Sequence, residues 1–125
     1  MQVLKSASKP IVGHHMMMDI CFLFHQFYFA LPNTYAEFCK QVQQCWPVHF
    51  DTKVLAFEFS RHCERNLQEV YNTCTNDKKL LNNVMFQYCP SDPTFQTYET
   101  LKQSHDAGYD AYMTGVVFAT YLKSI

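Results

Sequence analysis

The sequence predicts an α/β fold, a parallel strand–helix–strand unit followed by a C-terminal helix. Three observations carry that reading. A short strand-forming pair, Ile11-Val12, is closed by Gly13, and a long apolar stretch follows it to about Phe29. Thr34-x-x-Glu37 has the spacing of a capping box and opens a second helix. Val48 to Lys53 then alternates as a strand should, with Val48, Phe50 and Thr52 on one side and His49, Asp51 and Lys53 on the other. Two strands flanking helices make a parallel βαβ-type unit, because a crossover is needed to return the chain in the same direction.

A chain of 125 residues fits one small domain. Its 48% hydrophobic and 16% aromatic content supports a packed core and excludes a disordered segment. The formal net charge of -1 lacks the basic surplus that a nucleic-acid binder usually displays. A protein that threads a single strand can manage with local charge and stacking, so this does not exclude one. The six cysteines (Cys21, Cys39, Cys45, Cys63, Cys74, Cys89) are scattered through apolar runs with no secretory signal before them. They read as reduced thiols of an intracellular protein, nuclear or cytoplasmic. No C-x-x-C pair supports structural zinc, and Cys21 with His25 is too little for a metal site. No apolar run reaches the roughly 18 residues of a membrane span. Met16 to Leu31 comes nearest but contains Asp19, His25 and Gln26. Anchoring through a segment outside this chain stays open.

In order, Met1 to Ser8 reads as the end of a helix stopped by Pro10. After the strand at Ile11 and Val12, the run from about His14 to Phe29 is apolar almost all round. Ile20, Phe24 and Phe27 share one face, widened by Leu23 and Phe22, as in a helix buried on more than one side. Leu31-Pro32-Asn33 is a turn. After Thr34, Tyr35, Phe38 and Val42 follow at helical intervals to about Cys45, and Pro47 breaks the helix. Val54 to Glu64 reads as a loop packed by Phe57 and Phe59. Arg61, His62 and Arg65 form a basic cluster that is either a solvated charge run or a phosphate contact. Asn66 caps a helix to Cys74 with Leu67, Val70 and Tyr71 inward. Asn76 to Thr97 is a turn-rich loop, whose Tyr88 and Phe95, with Tyr98 just beyond, either pack or stack bases. A helical turn over Thr97 to Gln103 leads into His105. Tyr109 to Lys123 is helical, with Asp110, Thr114, Val117 and Tyr121 on one face and Gly115 inside it, open to close approach by another backbone.

The chemistry-bearing residues fall in two stretches. In SHDAGYDAYMTG, His105 sits on a loop and Asp110 on the first turn of the following helix. Imidazole can take a proton from water near pH 7, and a carboxylate suits a hard metal ion. In GHHMMMD, Asp19 is a carboxylate near the start of an apolar helix. It either caps the helix in solvent or holds a metal, since a bare buried charge is costly. Asp51 is structural or lies on the substrate side.

His105-x-x-x-x-Asp110 resembles the third exonuclease motif of the poly(A)-specific ribonuclease family, and KPIVGHHMMMD resembles the second, GHN followed shortly by Asp. LPNTYAEFCKQV and WPVHFDTK also sit where that family has similar stretches, so most of the chain is covered. The methionines before Asp19 are more similar to the PARN-like-domain branch, which includes the trimmer of piRNA 3′ ends. The resemblance implies a ribonuclease-H-like (DnaQ-like) DEDDh exonuclease fold. It implies a metal-dependent 3′-to-5′ exoribonuclease acting on poly(A) or on small-RNA 3′ ends. It also implies two Mg²⁺ ions with Asp19 and Asp110 among their ligands, His105 as catalytic general base, and a single-stranded RNA 3′ end as partner; a homodimer is left open. The family's Asp-x-Glu motif has no counterpart, because no acidic residue precedes Asp19. Residues 1–125 are therefore expected to form the C-terminal part of one exonuclease domain, with the opening strands absent and little activity alone. His15 stands where the family has Asn, so the substrate contact expected there changes character. The alternative is a non-catalytic RNA-binding or protein-interaction module of the same fold.

Overall fold

The computed structural model describes residue 6 and residues 9–28, 30–60, 66–77 and 106–123. The chain forms two compact units, Met1–Asp51 and Thr52–Ile125. Of the helix expected before Pro10, only Ser6 falls among the described residues, and it is helical.

The first unit runs β1 (Ile11–Gly13), α1 (Met17–Phe27), α2 (Tyr35–Cys45), β2 (His49–Asp51). The strands pair in parallel, with Ile11 opposite His49, Val12 opposite Phe50 and Gly13 opposite Asp51. The Ile11 N–H extends the ladder by donating to the Val48 carbonyl at 3.2 Å. This is the parallel unit read from the sequence, although β1 is half-buried rather than buried. β2 stops at Asp51 instead of Lys53. The alternation from Val48 to Lys53 cannot show that end, because Thr52 already belongs to the next helix and is fully buried there.

The Thr34 hydroxyl accepts the Glu37 N–H at 3.3 Å and starts α2 where the capping spacing puts it. Phe38, Val42 and Cys45 turn inward, while Tyr35 is exposed. Around them the core gathers Phe24 and Trp46, with Ile11, Ile20, Leu23 and Tyr28 packed against it. The Phe24 ring lies edge-on to Phe38 (centroids 5.8 Å) and to Trp46 (5.5 Å), and stacks on Tyr28 (5.2 Å). Edge-to-face and offset contacts of this kind suit the ring quadrupoles. Burial pushes the Tyr28 phenol pKa up, with a smaller contribution from the Cys45 thiol.

α1 departs from the sequence reading at both its start and its outer face. It begins at Met17 rather than His14, because His15 adopts φ 55°, outside the helical region. Phe22 and Phe27, expected on the buried side, are 58% and 62% exposed. Ile20, Cys21, Leu23 and Phe24 are the residues of α1 that meet the core of this unit among those described. A run apolar all round does not say which side is covered.

The second unit holds α3 (Thr52–Ser60), α4 (Leu67–Asn76) and α5 (Ala107–Leu122). The expected loop after Val54 is instead α3 as far as Ser60. Thr52 and Ala56, one turn apart, are buried, and Phe59 stacks on Tyr121 with centroids at 5.4 Å. α4 starts as predicted, with the Asn66 side-chain oxygen accepting the Glu69 N–H at 2.9 Å. The core joins Ala56, Val70, Cys74, Val117 and Tyr121. Burial raises the Cys74 thiol pKa most. A hydrogen bond with Tyr121 opposes that rise and the Asp77 charge adds to it.

Thr114, Val117 and Tyr121 are buried on the face predicted for α5, and the Thr120 hydroxyl satisfies itself on the Val116 carbonyl at 2.8 Å. Gly115 is exposed, and among the described residues no atom lies within 4 Å of where its Cβ would be. The close approach expected there is not seen. Cys21, Cys39, Cys45 and Cys74 are free thiols. Among the described residues no helix is long and apolar enough to cross a membrane. The basic cluster at 61–65, the loop from 78 onward and the turn through residue 105 lie outside the described residues.

Candidate functional site

Two helix starts carry the predicted chemistry, one in each unit. The first follows β1. Gly13 ends the strand where a Cβ would lie 2.7 Å from both Cβ and Sδ of Met16. A glycine is needed for Met16 to fold back beneath the turn, where it is buried. His15 then takes the left-handed conformation, which Asn, Asp and His tolerate best among residues with a Cβ. The His15 side chain is exposed.

Met16 is the N-cap of α1 and has no side-chain oxygen to satisfy the first N–H groups. Asp51, at the end of β2, holds the N–H of the N-cap residue itself and of the residue before it. Its Oδ1 accepts the His15 N–H at 2.8 Å and its Oδ2 accepts the Met16 N–H at 3.1 Å. The Gly13–Asp51 register places the carboxylate beside this turn. A negative charge here also suits the positive end of the helix dipole. Of the two readings of Asp51, the structural one accounts for both contacts. Asp19 is the third residue of α1 and is exposed. Among the described residues no donor holds its carboxylate.

The second start follows Asp106, which caps α5 locally: its Oδ1 accepts the Tyr109 N–H at 3.0 Å and its carbonyl accepts the Asp110 N–H at 2.8 Å. Asp110 is half-buried in the first turn, as read from the sequence. Its carbonyl receives the Thr114 hydroxyl at 2.8 Å. Among the described residues its carboxylate, like that of Asp19, has no donor. Tyr109 is buried and packs against Tyr71 and Tyr112, with ring centroids at 6.4 and 6.3 Å. These rings brace the turn that bears Asp110.

His15 and Asp19 therefore share the start of α1, Asp110 stands at the start of α5, and His105 lies outside the described residues. Among the described residues no three His, Cys, Asp or Glu side chains come together as a metal-holding group. Among the described residues nothing engages the carboxylate oxygens of Asp19 and Asp110, the donor type that Mg²⁺ prefers, so each fits as one ligand of such an ion. A hollow of about 270 Å³ in the first unit lies by Lys9, Gln44 and Trp46, and none of the predicted site residues lines it. Two residues that shape the starts, Asp51 and Asp106, were not read as caps. Asp106 stands three residues before Tyr109, an ordinary capping position, whereas the role of Asp51 has no local signal.

Residues 1–118 match the profile described as CAF1 family ribonuclease. The chain is 38% identical over 131 aligned residues to a poly(A)-specific ribonuclease PARN of Xenopus laevis, covering 98% of this chain and 20% of that protein. It is 36% identical to a pre-piRNA 3′-exonuclease trimmer of Bombyx mori, over 94% of this chain and 23% of the trimmer. A human poly(A)-specific ribonuclease PNLDC1 is 33% identical, over 93% of this chain and 23% of that protein. The chain thus spans about a fifth of the length of these curated relatives.

Proposed function

The chain belongs to the CAF1 ribonuclease family, and on that premise we propose that it is part of a divalent-metal-dependent 3′-to-5′ exoribonuclease that shortens single-stranded RNA from its 3′ end. Residues 1–125 are the C-terminal part of one exonuclease domain of ribonuclease-H-like fold. Asp19 and Asp110 are oxygen ligands, His105 is the general base, and His15 touches the RNA. The observation that carries this reading is the pair of unengaged first-turn carboxylates. Each stands in a stretch that resembles a family motif, and among the described residues neither carboxylate has a donor, while a different aspartate holds backbone N–H groups at each start.

Two divalent ions, when bound, supply charge stabilisation for the attacking and leaving oxygens of the displaced phosphodiester. Asp19 and Asp110 would each supply one carboxylate ligand for such an ion. His105 accepts the proton of the attacking water through an imidazole nitrogen, which a neutral histidine can do near pH 7. The His15 ring, exposed at the start of α1, offers a hydrogen bond or a stacking face to the terminal nucleotide. The substrate is a poly(A) tail or the 3′ end of a small RNA.

The test uses the full-length protein, 5′-labelled oligo(A) and mixed-sequence RNA, and Mg²⁺. The expected product is a ladder shortened one nucleotide at a time from the 3′ end. His105→Ala should lower turnover by about a hundredfold or more, the scale of general-base catalysis, while RNA binding is retained. Binding of RNA with no shortening by the wild type would establish instead a non-catalytic RNA-binding module. Unchanged turnover in His105→Ala, Asp19→Ala and Asp110→Ala together would overturn the assignment of these three residues.

A further inference from the structure

Asp19 is the third residue of α1, and Met16 is the N-cap. In a capping box the acidic side chain at that third position reaches back to the N-cap N–H. Here that donor is already taken, because the Met16 N–H lies 3.1 Å from Asp51 Oδ2. The other oxygen of Asp51 holds the preceding His15 N–H at 2.8 Å, so one carboxylate occupies both donors of the turn. Asp51 comes from 35 residues away in sequence, at the end of β2.

We propose that Asp51 is a positioning residue for Asp19: by occupying the Met16 N–H, it keeps Asp19 from folding back as a helix cap and leaves that carboxylate facing outward for a divalent cation. The inference rests on the reading of Asp19 as an oxygen ligand for its purpose, but not for its geometry. Without Asp51, the unpaired N–H and the free carboxylate sit in capping register, and a hydrogen bond between them is the nearest remedy. The carboxylate that caps is then committed inward. Asp51 and Asp19 thus compete for one donor, and the competition is settled by the parallel register that puts Asp51 beside Gly13.

Competition for a shared partner predicts non-additivity. The test is a double-mutant cycle on urea unfolding in metal-free buffer, using the full-length protein and following the transition of this domain. In the wild type, Asp19→Ala should change the unfolding constant by less than about twofold, since only a dipole contact is lost. In the Asp51→Ala background the same substitution should change it about fivefold, the usual scale of an N-cap. Equal effects in the two backgrounds would overturn the proposal, because an Asp51 of purely structural role leaves Asp19 indifferent. Should Asp51→Ala not fold, Asp51→Asn keeps one acceptor oxygen, and the cycle is read at smaller amplitude.

A second arm separates this inference from the functional reading. Mn²⁺ titrations by water-proton relaxation should show weaker binding in both Asp51→Ala and Asp19→Ala than in the wild type. Coupling in the unfolding cycle with Mn²⁺ binding unchanged in Asp19→Ala removes the ligand role of Asp19 and leaves the exchange of caps standing. Weakened Mn²⁺ binding with an additive cycle removes the exchange of caps and keeps the ligand.

Discussion

The starts of α1 and α5 reach the same chemical outcome by different routes. Each carries an aspartate in its first turn whose carboxylate has no donor among the described residues, and at each a second aspartate holds backbone N–H groups of the start. At α5 the cap is local, with Asp106 reaching the N–H three residues on. At α1 the cap is tertiary, with Asp51 crossing from β2 to a turn that has no capping side chain of its own. A local cap forms with the helix itself. A tertiary cap forms only when the sheet register is right, so the first start depends on the fold and the second chiefly on its own sequence.

Substitutions can break or sharpen that contrast, and the largest effect is expected at Gly13. Gly13→Ala puts a methyl 2.7 Å from the Met16 Cβ, an atom next to backbone that cannot swing aside. A cost of about 1–3 kcal/mol is expected from overpacking, read as a lower urea midpoint. Asp51→Ala, which strands two N–H groups, should cost about 1–2 kcal/mol. In hydrogen exchange it should expose the amides of both β2 and the first turn of α1. Asp106→Ala should cost about 1 kcal/mol, with faster exchange confined to the first turn of α5. Comparable spreading of exchange in both variants would erase the distinction between the two caps. Gly115→Ala is the smallest and has the opposite sign. The site is helical, exposed and open, so the protein should gain about 0.5–1 kcal/mol.

Stability of the second unit should also respond to pH. The Cys74 thiol pKa is raised in the folded second unit, chiefly by burial. Its contribution to stability is fully present below the ordinary thiol pKa and is lost as pH rises through the folded one. The urea midpoint should therefore fall more steeply on the alkaline side in the wild type than in Cys74→Ala, a difference measurable by unfolding across that range.

What was legible in the sequence follows the same divide. Thr34 and Asn66 announce α2 and α4 because the oxygen that caps and the N–H it accepts stand three residues apart. β1 is marked by Ile11, Val12 and a closing Gly13, and Asp110 falls on the turn its motif predicts. α3 was hidden. Phe57 and Phe59 suggested an aromatic-packed loop, while the residues that bury it, Thr52 and Ala56, are small and carry little pattern. The end of β2 was hidden by alternation that continues into the next helix. The capping role of Asp51 was illegible for the plainest reason, since nothing near residue 51 mentions residue 16.

The tertiary cap also orders events on the ribosome. α5 can complete its first turn once Tyr109 follows Asp106 out of the exit tunnel. The start of α1 must wait until residue 51 has been translated and β2 has found β1, so an element written early in the message closes late.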